Sequence, residues 1–336
     1  MAAQMRGSRM EERDVSLHRG LIGAQPAPAA TDQPVRRQAS REGGFSTGWL
    51  IAPSVVWLLL FLVIPLISIF IFSFWTSTGH GLQPGFHLQN YAEYFVSEGF
   101  FDPESRRFLS PSVFIKTLGS TFRFTFEVML LCLLIGYPIA YFLAMRVNSF
   151  KWQMALFLLC MVPFWTSYLI RAVAWLPMLG RRGLLNSMLL ALDVIDKPTR
   201  VLLYSEFGYT TALVQIYVVL CVGPIFFSLA KIDADIIEAA KDMGATAFQI
   251  FREIILPLSL PGVAIGMIFI FVMLMGEFAT AVVVYGGKTS TVGTVILNYY
   301  AIANYPFAAV NAIMLMLAMM AGVIIILRLV NIRKEL

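Results

Sequence analysis

The feature that most constrains this chain is a series of six apolar runs, each roughly 20 residues or longer, the length that the hydrocarbon core of a bilayer demands. They lie near 49–75, 121–145, 153–179, 211–230, 262–285 and 307–330. Backbone polar groups in lipid must be satisfied within their own segment, so each run is predicted to be a spanning helix. With 58% hydrophobic residues, only 13% charged and a mean hydropathy of +0.75, the composition excludes an ordinary soluble domain. The predicted fold class is an all-α membrane protein with six transmembrane helices.

Between the fourth and fifth runs lies a stretch that cannot enter hydrocarbon. Residues 238–262 read EAAKDMGATAFQIFREIILPLSLPG and carry Glu238, Lys241, Asp242, Arg252 and Glu253. Residues 236–243 favour helix, Gly244 suits a helix end, and Thr246 with Gln249 forms the pattern of a capping box for a second helix. Pro257 and Pro261 are expected to interrupt that helix before the fifth span begins. Ile236, Ile237, Ala240, Met243 and Ala247 recur at helical spacing, giving a charged loop an apolar stripe. Two readings stand: a hairpin lying on the membrane surface, or a knob that docks into a partner's groove.

Six spans put both termini on one side. Fifteen Lys and Arg fall on the side of the termini and the central loop, against nine on the other, which places the central loop and both termini in the cytoplasm. The net charge of +5 does not signal nucleic acid, because the basic residues are scattered among loops. Residues 1–47 read as a disordered cytoplasmic tail with no signal-peptide core, and 48–336 as the membrane domain, with 231–261 as its central loop. The segment 184–192 is too short to span and is expected to lie as a helix along the outer surface.

Self-contained catalysis finds no support. His18, His80 and His87 lack metal-ligand spacing, and Cys132, Cys160 and Cys221 sit inside apolar runs, where they read as buried small hydrophobes. Gly287-Lys288-Thr289 resembles the end of a phosphate loop, but Val282 stands where the first glycine belongs.

Charges at membrane depth are costly and mark pathways or specific partners. Glu127 follows Arg123 by one helical turn, so a local ion pair and a pathway role both stand. For Arg171, snorkelling or an interhelical bond is expected. Glu277 is the candidate for contacting a cationic solute, the alternative being a structural hydrogen bond between helices. Trp165 and Tyr168 could mark the membrane interface or face an amine cation, whereas Trp175 reads as an interface anchor.

Glu238-Ala239-Ala240, then Gly244, then Ile254, Leu256 and Pro257 resemble the EAA signature of binding-protein-dependent ABC importer permeases. Residues 163–175, 183–196, Leu134 to Ala144 and Gly276-Glu277-Phe278 are similar to the spermidine/putrescine (polyamine) branch of that family. The resemblance implies the type I ABC importer permease fold with a cytoplasmic coupling helix, in a multi-pass protein of the bacterial inner membrane. It implies a homologous second permease subunit, a dimer of ATP-binding subunits that holds ATP and Mg, and a periplasmic solute-binding protein, beside membrane lipid. This chain would bind no cofactor or metal and catalyse nothing itself. Coupling would fall to Glu238, Ala239, Ala240, Met243 and Gly244, and the pathway to Glu277, Glu127, Trp165 and Tyr168. The solute would be a small cationic amine, the alternatives being an opine or amino-acid derivative, or an ion-gradient-driven secondary transporter.

Overall fold

The computed structural model describes residues 47–78, 81–96, 113–199, 202–288 and 290–329. The chain forms two compact units, Met1–Val56 and Trp57–Leu336. In the first, only residues 47–56 are described, and they are helical. The expected disordered tail, His18, His80, Arg106, Arg107, Arg200, Thr289, Arg333 and Lys334 lie outside the described residues.

The elements are almost all helical. Helix α1 (Thr47–Leu58), a π turn (Leu59–Val63) and α2 (Ile64–Phe72) make the first run. A two-stranded antiparallel ribbon, β1 (Thr76–Thr78) and β2 (Gly81–Gln83), pairs Thr76 with Gln83 and leads to α3 (Gln89–Val96). Then come α4 (Val113–Met145), α5 (Phe150–Met161), a 3₁₀ turn (Val162–Trp165), α6 (Tyr168–Leu179), α7 (Leu184–Ala191) and α8 (Glu206–Leu229). Next follow α9 (Ala234–Asp242), α10 (Ala247–Ile250), a π turn (Phe251–Ile255), α11 (Leu256–Met275), α12 (Ala279–Val283), α13 (Val292–Ala301) and α14 (Tyr305–Leu329). Among the described residues five stretches are long and apolar enough to cross a bilayer, six if one bent pair counts as a span.

The bent pair corrects the third expected span. Phe150–Trp165 and Tyr168–Ala191 meet at 87°. Pro163 sits at the head of the 3₁₀ turn, and Thr166 (ψ 146°) and Ser167 (ψ 135°) are extended, so the helical hydrogen-bond series ends there and restarts at Tyr168.

The fifth span departs from expectation in the opposite sense. Pro257 and Pro261 do not interrupt it: one helical span runs from Ala247 to Met275. Pro257 sits in the first turn of α11, just after a π turn has displaced the usual bonding pattern, so its missing N–H costs little. Pro138 and Pro224 likewise lie inside α4 and α8, as membrane helices tolerate when neighbours cover the freed carbonyl. The span ends at Met275, not near 285. Gly276 closes it, and Glu277 and Phe278 are non-helical before α12 begins.

Helix α8 is the centre of the second unit, in contact with both α4 and α11. It is apolar all round, as a buried helix must be, and Leu213, Ile216, Ile225 and Leu229 on it are buried. Close approach to α11 is made possible by small residues. A Cβ on Gly262 would meet the Pro224 carbonyl oxygen at 2.5 Å and Ser228 Cβ at 2.6 Å, and one on Gly266 would meet Cys221 Cα at 3.2 Å. Gly262 and Gly266 are a GxxxG pair, which brings backbones together where lipid gives no hydrophobic drive for helices to associate. Gly136 of α4 meets Cys221 on the other side, at 3.3 Å from a built Cβ to Sγ. Cys132 and Cys221 are buried as expected of small hydrophobes, whereas Cys160 is half-buried.

Gly262→Val should therefore cost about 1–3 kcal/mol through overpacking and lower the thermal midpoint of the purified protein in detergent. Gly223→Ala on α8, where a Cβ would meet nothing within 4 Å, should not lower the midpoint in the same assay.

Candidate functional site

Two places gather the residues singled out in the sequence: the loop around α9 and the break at the end of α11. Asp233 caps α9, its carboxylate accepting the Asp235 N–H at 3.1 Å. The helix ends through Gly244, whose φ of +84° is open to glycine at no steric cost. Ala245 N–H then donates back to the Ala240 carbonyl at 3.0 Å. Thr246 and Gln249 form the capping box read from the sequence, with Thr246 N–H to Gln249 Oε1 at 2.8 Å.

The apolar stripe of this loop divides in two. Ala240 is buried in the chain's own core beside Ile250 and Ile255, and Ile237 packs against that core. Ile236, Ala239 and Met243 face out, Met243 at 83% exposure, with Glu238 exposed among them. Phe248, 69% exposed on α10, joins this outward group. It was missed by a spacing rule that stopped at Ala247, although an aromatic in the first turn of a charged loop helix was the available signal.

At the other place, the break after α11 puts a carboxylate among hydroxyl groups. Glu277 is 4% exposed. Its Oε1 accepts the Thr280 N–H at 2.6 Å, capping the short helix α12. Its Oε2 accepts the hydroxyl of Tyr168, the first residue of α6, and that of Tyr217 on α8 at 3.1 Å. Tyr168 Oη also lies 2.8 Å from Thr280 Oγ1. The two tyrosine rings stand 6.2 Å apart between centroids. One carboxylate thus ties together the broken third span, the fourth span and the end of the fifth.

The backbone at the break is held from the far side. Thr291 Oγ1 donates to the Glu277 carbonyl at 2.9 Å and forms a capping box with Thr294 at the start of α13. Val292 N–H donates to Thr121 Oγ1 on α4 at 3.1 Å.

Glu277, Tyr168, Tyr217 and Arg171 line a cavity of about 430 Å³, with Phe164 and Phe278 also on its wall. The Arg171 guanidinium donates from Nη1 to the Ile216 carbonyl at 3.0 Å, an interhelical bond, one of the two readings given for it, while its buried Nε has no partner among the described residues. Tyr217 and Thr280 were not singled out in the sequence. Their part in the site comes from tertiary contact, the one available signal being a tyrosine in mid-span.

The other two pathway candidates lie elsewhere. Trp165 is 76% exposed and does not line this cavity. Glu127 does not pair with Arg123. Thr210 Oγ1 lies 3.5 Å from it, and Arg123 instead bonds Glu206 across helices at 2.8 Å. The partner on α8 lies 83 residues on in the chain, beyond the reach of a local spacing rule. Trp175 packs on the buried group of Leu179, Ala212 and Val284. Among the described residues no three His, Cys, Asp or Glu side chains gather as a metal would need.

Comparison with known proteins decides the family. Residues 136–333 match the model of the binding-protein-dependent transport system inner membrane component. The chain belongs to that family. It is an ABC importer permease, a multi-pass membrane protein. The spermidine/putrescine transport system permease protein PotB of Escherichia coli K12 is 34% identical to it over 272 residues, 80% of this chain and 92% of that one. The protein of the same name from Haemophilus influenzae is 30% identical over 259 residues, 76% of this chain and 84% of that one. In fold, the permease is similar to a chain of a bacterial ABC transporter involved in the import of the acidic polysaccharide alginate. That match has a TM-score of 0.61 and 20% identity, and covers 85% of this chain and 96% of the other.

Thr291→Val would remove the bond to the Glu277 carbonyl and half of the α13 capping box. The permease should lose about 1–2 kcal/mol, read as a lowered thermal midpoint in detergent.

Proposed function

We propose that this permease forms half of the translocation pathway for a small cationic amine such as a polyamine. The observation that carries the reading is the Glu277 carboxylate on a cavity wall beside two tyrosine rings, since a carboxylate with aromatic faces is a chemistry that attracts ammonium. The name of the PotB relatives supports the same solute class. Glu277 and Tyr168 are the contacts at this cavity, and Glu127 and Trp165 would act elsewhere along the path.

A homologous second permease completes the pathway, a periplasmic solute-binding protein delivers the solute, and a dimer of ATP-binding subunits holds ATP and Mg and hydrolyses the nucleotide. Both termini and the loop of α9 lie on the cytoplasmic side of the bacterial inner membrane. There Glu238, Ala239, Met243 and Gly244 present the coupling surface, with Ala240 holding α9 against its own core. The outward Ile236, Met243 and Phe248 supply the apolar part that a groove on the ATPase would cover.

Arg171 on the same cavity wall favours a second reading, an opine or amino-acid derivative whose carboxylate meets the guanidinium. Uptake by cells carrying Glu277→Gln separates the cases. Cationic diamine uptake should fall at least about tenfold, the worth of a charged hydrogen bond, while a neutral solute is spared. Equal uptake with and without the carboxylate removes Glu277 from the pathway. Uptake of an amino acid that is lost on Arg171→Gln favours the second reading.

Gly244→Val should strain the loop by about 1–3 kcal/mol at its positive φ, leaving the protein in the membrane but abolishing stimulation of ATP hydrolysis by loaded binding protein. Undiminished stimulation contradicts the coupling assignment.

A further inference from the structure

A carboxylate offers about four lone-pair sites on its two oxygens. At Glu277 both sites on Oε2 are engaged, by the hydroxyls of Tyr168 and Tyr217, while the Thr280 N–H donates to Oε1 at 2.6 Å. An ammonium that reaches Oε2 must displace one of the two hydroxyls.

The three donors differ in what they lose. The Thr280 amide belongs to the first turn of α12 and has no intrahelical acceptor to fall back on. The Tyr217 hydroxyl, on a residue 7% exposed, makes one bond among the described residues, and that bond is to Glu277. Tyr168 alone has a second partner, Thr280 Oγ1 at 2.8 Å, so it can yield Oε2 and keep a hydrogen bond.

Tyr168 is also the residue at which the third span restarts after its break. We propose that Tyr168 is a solute-displaced latch. An arriving ammonium takes its place on Glu277 and exchanges a charge-assisted tie between the third and fifth spans for a weaker neutral one to Thr280. This rests on the reading of Glu277 as the amine contact. Charge-assisted bonds are roughly twice as strong as neutral ones, so the tie loosens without being cut. The loosened end is joined directly to the loop: the helical span from Ala247 to Met275 stops two residues short of Glu277. Occupancy of the cavity is thereby felt along one rod at the surface around α9.

The latch gives two substitutions opposite signs. In the complete transporter, this permease with its partner permease and ATPase in lipid nanodiscs, binding of 1,4-diaminobutane is measured directly without binding protein, together with basal ATP hydrolysis. Tyr168→Phe removes the competing donor, so the diamine should bind about threefold to tenfold tighter and basal hydrolysis should rise by a similar factor. Thr280→Val removes the fallback acceptor, so the diamine should bind more weakly by about the same factor, although Thr280 never touches it. The second variant decides the matter if the first fails to assemble. Weaker or unchanged binding in Tyr168→Phe, or unchanged binding in Thr280→Val, overturns the latch, and it does so without harm to the Glu277 reading when Glu277→Gln still abolishes binding. No binding by the wild-type complex overturns both.

Discussion

A buried carboxylate at the end of a membrane span is costly, and it persists only where donors surround it. Glu277 meets that condition with the Thr280 amide and the hydroxyls of Tyr168 and Tyr217. Each donor comes from a different stretch of the fold. The requirement to satisfy one charge thus fixes where the broken third span restarts, how the fourth span is turned and where α12 begins. Thr291 and Thr121 secure the backbone of the same break from α13 and α4, so the site is braced on both sides.

Behind the carboxylate stands a helix pair packed by absence of side chain. Gly262 and Gly266 let α11 lie against Pro224 and Cys221 of α8, and Gly136 lets α4 approach the same cysteine. In lipid such contact is gained by van der Waals fit and not by expulsion of water, which is why glycine and cysteine stand where a soluble core would carry larger residues. The firm seam makes α11 suited to act as a rod. One of its ends carries Glu277 and the other leads through a π turn into the loop with Ile236, Met243 and Phe248 facing out.

What was legible in the sequence was what is local. The Thr246–Gln249 box and the turn at Gly244 depend on residues within four positions of one another, and both are present as read. Apolar run length located the apolar stretches but not their straightness: among the described residues five are long and apolar enough to cross, six if the bent pair counts as one, and the same count of apolar residues fits a straight helix and the 87° bend after Pro163. Proline acts in two ways in this fold. At Pro163 extended residues follow and the helix ends, whereas at Pro257 a π turn precedes and the helix continues. Arg123 met Glu206 in place of Glu127, and Glu277 met Tyr217, because partners 83 and 60 residues apart are chosen by packing and leave no spacing to read.

Membership of the ABC importer permeases accounts for the architecture, and the particular chemistry of this chain lies in how Glu277 is held. A double-mutant cycle of Tyr168→Phe and Glu277→Gln on the thermal stability of the purified protein tests that most directly. If one hydroxyl–carboxylate bond joins the third and fifth spans, the two losses are strongly non-additive, with a coupling of about 1–3 kcal/mol. Losses that add to within about 0.5 kcal/mol would mean that the two groups do not hold each other, and the account of the break as a single node would be wrong.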